Sequence, residues 1–130
     1  MNSGPLADDL MPGKQHKRDG RKELMKEFAE AAADRGQHFF YIRIPEGLGP
    51  VARGDKYEDA LADALGELGE ITGGGSQLGE GKTVAWCGID VVVNDRDRGL
   101  KVIRQTMRSR GAPAETVIEE HLPEYRELNL

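Results

Sequence analysis

Val84-Ala85-Trp86-Cys87-Gly88-Ile89-Asp90-Val91-Val92-Val93 is a largely apolar run rich in β-branched residues. A run of that kind reads as a strand buried on both faces, and such a strand belongs at the centre of a sheet. The glycine-rich turn Gly79-Glu80-Gly81 precedes it, and Asn94-Asp95 follows as a helix-start signal. One end is therefore expected to be a hairpin and the other a crossover into a helix.

Working back toward the N-terminus, residues 70–78 form a weaker strand broken by Gly73-Gly74-Gly75, where missing side chains imply an irregular ladder. Before it, Tyr57, Ala60, Leu61, Ala64, Leu65 and Leu68 recur at helical spacing, with Asp55 placed to cap the helix start. Residues 38–44 alternate, Phe40, Ile42 and Ile44 on one side and Phe39, Tyr41 and Arg43 on the other, until Pro45 and Gly47 end the strand. Residues 20–36 predict a helix with Leu24, Phe28, Ala31 and Ala32 along one narrow apolar stripe and Gly36 as its stop. Residues 1–19 mix Gly, Pro, Asp and Lys without a period, the composition of a mobile arm.

Toward the C-terminus, Leu100, Ile103 and Met107 mark one face of a helix closed by Gly111 and Pro113. Residues 116–121 predict a short last strand, and residues 123–130, after the Pro123 break, a tail. The α+β order over residues 37–122 is thus strand, helix, strand, strand, helix, strand. At the level of element order it resembles the ferredoxin-like α/β plait (βαββαβ), which implies a four-stranded antiparallel sheet with two helices on one face, here preceded by an N-terminal helix. This fold hosts many functions, so the resemblance implies no activity.

Alternation then places Ala85, Cys87, Ile89, Val91 and Val93 with Phe40, Ile42 and Ile44 against the two crossover helices. The other face shows Phe39, Tyr41 and Arg43 beside Trp86, Gly88, Asp90 and Val92, too apolar to be left in water. Either the N-terminal helix, through Leu24, Met25 and Phe28, or a second copy related by two-fold symmetry is expected to cover it.

Composition narrows the function classes. With 130 residues, 38% hydrophobic and 32% charged, the chain fits one domain with a modest core. A formal charge of -5 and a pI near 5.2 make nucleic acid an unlikely partner, because phosphate binding is driven by Lys and Arg. Cys87, the single cysteine, falls inside the best strand and reads as a buried, inert thiol. No run reaches membrane-spanning length and no secretory signal is visible, so the expected location is cytoplasmic, with no membrane partner.

Several constellations bear on chemistry. Phe39, Tyr41, Arg43, Trp86 and Asp90 share the open sheet face, and aromatic and arginine side chains are the usual interface anchors. Arg43 and Asp90 are expected to pair across neighbouring strands. Gly73, Gly74, Gly75 and Ser76 have the composition of a backbone nest for an anion. Ser76 to Thr83 almost matches a phosphate-binding P-loop, but Ser76 stands where that pattern needs glycine, and Lys82-Thr83 lead into a strand instead of a helix. His38, Glu119 and His121 fall near one sheet end without a third committed metal ligand beside the histidines. Arg98, Lys101, Arg104 and Arg108 form a basic stripe on the last helix, expected to neighbour the acidic Glu58, Asp59, Asp63 and Glu67. The loop from Gly47 to Arg53 faintly resembles that of the acylphosphatases, which implies Arg53 as a phosphate-holding arginine; the asparagine that family uses to position water is missing from the second and third strands.

These readings converge on a small non-catalytic cytoplasmic protein acting through protein contacts, in a regulatory, accessory or immunity-type role, with a protein partner or as a homodimer. Neither metal nor cofactor is expected. The alternative is a small-ligand or anion-binding domain using Gly73 to Ser76 with Arg43, and a more remote one is an acylphosphatase-like hydrolase.

Overall fold

A computed structural model describes residues 13–78 and 84–130. The elements are α1 (Gly13–Asp34), β1 (His38–Ile44), α2 (residues 50–65), β2 (Gly69–Leu78), β3 (Val84–Val93), α3 (Arg96–Ser109), β4 (Val117–Glu120) and β5 (Arg126–Asn129). The five strands of the described residues join one antiparallel sheet in the order β2-β3-β1-β4-β5, so β3 and β1 lie inside it, as the apolar run demands.

One face of the sheet carries the main core. Phe40, Ile42 and Ile44 of β1, Cys87, Ile89, Val91 and Val93 of β3 and Ile118 of β4 pack against Tyr57, Leu61 and Leu65 of α2 and Leu100, Ile103 and Met107 of α3. Opposed residues such as Ile42 and Ile89 project to the same side, so the two strands contribute one continuous aliphatic surface. Full burial of each such side chain is worth about 1.5–3 kcal/mol. Asp95 starts α3 by accepting a hydrogen bond from the Arg98 amide at 3.0 Å, and Gly111, at φ 80°, lets the chain leave it.

The structure corrects the expected four-stranded sheet. Residues 126–129, read as tail, form β5 and pair with β4, Ile118 opposite Leu128 and Glu120 opposite Arg126. Leu128 and Leu130 pack on the edge of the core, while Arg104 donates to the Asn129 carbonyl at 2.9 Å and Arg108 donates to that of Leu130. The Pro123 break, part of a cis Leu122–Pro123 peptide, is the bend between two strands.

Two helix starts also differ. Residues 1–12 of the expected arm lie outside those described, but the helix begins at Gly13, directly after the last proline of that segment, and not at Gly20. The second helix begins at Pro50, whose fixed φ and missing donor suit the first helical position. Asp55 therefore lies within a π-helical turn, Gly54–Glu58, between Pro50–Arg53 and Asp59–Leu65, and does not cap the start.

Candidate interaction site

The face of the sheet opposite the main core is covered by α1. Met25, Ala29 and Ala32 seat on Phe39, Tyr41 and Val92, with Trp86 and Leu122 at the margins. Of the expected stripe Leu24, Phe28, Ala31 and Ala32, only Ala32 is buried in the seam that meets the sheet, together with Met25, which was expected to help cover it, and Ala29. Small side chains let the helix axis approach rings that already stand up from the strands, which two large residues at those positions would prevent. Leu24 and Phe28 remain 45% and 38% exposed, with only the edge of Phe28 meeting Phe39, centroids 5.9 Å apart.

Beneath the N-terminal half of α1 lies a buried carboxylate. Glu119 of β4 is fully buried and accepts from both terminal nitrogens of Arg21, at 3.3 and 3.0 Å, from Arg43, and from Nε2 of His121 at 3.0 Å. Burial alone would raise its pKa; the hydrogen bonds from His121 and Arg21, with the charges of Arg21 and Arg43, overcome that and hold it at about 2. An ionised carboxylate can only accept, so Nε2 of His121 carries the proton of this bond. The Arg21 guanidinium also lies 5.3 Å from the Tyr41 ring centre and 5.5 Å from that of Trp86, while the two rings meet edge to face at 6.1 Å. Arg43 extends the network to Glu127 of β5 at 3.5 Å, and Tyr125 donates to Glu127 at 2.7 Å. One carboxylate therefore joins α1, β1, β4 and the C-terminal hairpin.

The β2–β3 half of this face is floored by glycine. A Cβ at Gly88 would fall on the Tyr41 hydroxyl and ring, so Gly88 is the space into which that buried side chain leans. Burial pushes the Tyr41 phenol well up. Asp90 lies over Gly73, its carboxylate 2.9 Å from where a Cβ would stand, and burial raises its pKa against the pull of Arg53. On the other face the Arg53 guanidinium lies over Gly74, 3.1 Å from the same construction, and pairs with Glu58.

These positions separate several expected partners. Arg43 stands opposite Gly88 and Asp90 opposite Tyr41; the tyrosine leans across the diagonal between them, and Arg43 turns to Glu119 instead of pairing with Asp90. Gly73, Gly74, Gly75 and Ser76 are laddered against Asp90, Ile89, Gly88 and Cys87, with a register shift between Ile71 and Gly73. None of the three glycines has a positive φ, so the tract is extended backbone and not an anion-binding nest, and β3 lies between it and Arg43 on β1. Of the P-loop-like segment, residues 79–83 lie outside those described, and Val84 already belongs to β3.

The remaining constellations also disperse. Glu119 and His121 face α1, whereas Glu120 turns to Arg96 at 2.6 and 2.9 Å on the opposite side. Among the described residues no three His, Cys, Asp or Glu side chains gather as for a metal. In the basic stripe Arg104 and Arg108 are bound to C-terminal carbonyls, and Arg98 and Lys101 face solvent. Arg53, the residue implied by the acylphosphatase resemblance, is buried in the first turns of α2.

Sequence reasoning placed Phe39, Tyr41, Arg43, Trp86 and Asp90 on one face but missed its hub. Glu119 shares the alternation of Tyr41 across β1 and β4, and Arg21 precedes the Met25-Ala29-Ala32 seam by one helical turn; those two spacings were the available signal. Comparisons with protein-family models, curated proteins and solved structures find no match.

Proposed function

We propose that this chain is a small non-catalytic protein that acts through protein–protein contacts, in a regulatory, accessory or immunity-type role, and that it self-associates. The supporting observation is that α1 carries two apolar seams about 100° apart. Met25, Ala29 and Ala32 are spent on the sheet, while Leu24 and Phe28 on the neighbouring seam remain among the exposed large hydrophobics of the described residues. An exposed Leu-Phe pair at i, i+4 is the kind of seam that receives another protein surface. Within this reading residues 38–120 are a ferredoxin-like plait enlarged by β5; the βαββαβ order and the neighbour order β2-β3-β1-β4 support it. No helix among the described residues is long and apolar enough to cross a membrane.

The test is solution mass across a dilution series, by light scattering after size exclusion. A concentration-dependent mass above 14.3 kDa is expected. A single chain at every concentration would remove self-association from the proposal.

A further inference from the structure

The two edges of the sheet are finished differently. The β5 edge is four residues long and carries Arg126 and Glu127, charges that discourage pairing with another chain. The β2 edge is ten residues long, and from Ile71 to Leu78 it holds no Asp, Glu, Lys, Arg or Pro. Among the described residues β2 has a single strand neighbour, β3, so its outer row of backbone N–H and C=O groups faces outward. Beside it, the turn Pro50–Arg53 packs on β2 and presents Val51, 79% exposed and one of three large hydrophobics left in water among the described residues.

We propose that two copies of this chain join through β2, edge to edge and antiparallel, about a two-fold axis at Gly74. This rests on the self-association proposed above and names its surface. About that axis Gly73 of one copy lies opposite Gly75 of the other, and the only charge of the strand, Glu70, beyond the bulge at Thr72, meets the uncharged end of its partner. No like charges are opposed, which a two-fold contact requires because every residue meets its own reciprocal. The joined sheets form one ten-stranded layer, with Val51 of each copy brought to the same side of the seam. The Leu24-Phe28 pair lies on the other face and takes no part in this contact.

Gly75→Lys tests this without disturbing the protomer, since a Cβ there meets nothing within 4 Å. Two lysines flanking the axis are expected to raise the dimer Kd about tenfold or more, with the thermal melt of the monomer unchanged. In the wild-type protein, backbone amides of residues 71–75 should exchange with deuterium faster on dilution, while those of β5 should not change. An unchanged Kd in Gly75→Lys, or exchange at β2 independent of concentration, overturns the edge contact. Loss of the dimer in Leu24→Ser with Phe28→Ser, but not in Gly75→Lys, would also overturn it while leaving self-association standing. A wild-type monomer at every concentration overturns both.

Discussion

The two faces of the sheet are sealed by different physics. Toward α2 and α3 the contacts are apolar, nearly all completely buried, and non-directional. Toward α1 the helix supplies one methionine and two alanines, and what fixes it is directional: an arginine fork on a buried carboxylate and the same guanidinium over two aromatic rings. A buried ion pair adds little net stability but penalises misplacement severely, because any other seating leaves a charge unpaired. The first face holds the domain together; the second decides where the first helix goes.

The contrast can be broken from either side. Phe40→Ala, in the apolar face, is expected to cost about 3–5 kcal/mol in denaturant unfolding, the largest effect proposed. Glu119→Gln should cost roughly 3 kcal/mol at neutral pH, since Arg21 and Arg43 lose their shared counter-charge. It should also change the acid limb. The folded pKa of Glu119 lies at about 2, below its ordinary 4.5, so its contribution is complete above pH 4.5 and lost as pH falls toward 2. Unfolding curves between those limits should lose part of their slope in Glu119→Gln, and equal slopes would refute the assignment.

Gly88→Ala sharpens the comparison within the α1 face. Its methyl group would occupy the place of the Tyr41 hydroxyl, and a cost of about 1–3 kcal/mol is expected, partly recovered in a Tyr41→Ala background. Arg21→Ala should cost about 1–2 kcal/mol, read as faster amide exchange confined to α1, because Arg43 and His121 remain on Glu119. Leu24→Ser, outside both faces, should stay within about 0.5 kcal/mol of the parent.

The same contrast explains what was legible in the sequence. Apolar alternation located β1, β3 and the core seams of α2 and α3, since burial in a uniform apolar environment leaves a periodic trace. On the α1 side the strand residues, Met25 and Ala32 were legible, but Ala29 is a weak signal beside Leu24 and Phe28, whose size points to the sheet although both stay partly exposed. Glu119 and Arg21 are charged residues far apart in sequence, and nothing local announces that each completes the other. β5 was hidden because its charged positions dominate a short segment whose Leu128 and Leu130 alternate over too few residues to stand out. The glycine tract was readable as an irregular strand, but only the ladder register shows which side chain each glycine makes room for.

The bond from Arg21 to Glu119 spans 98 residues of chain. On a ribosome adding about 5–20 residues per second, the first helix therefore emerges roughly 5–20 s before the residue that anchors it exists. For that interval Met25, Ala29 and Ala32 can already meet Phe39 and Tyr41, but the Arg21 guanidinium has no carboxylate to close on, so the contact that fixes the first helix is among the last to become available.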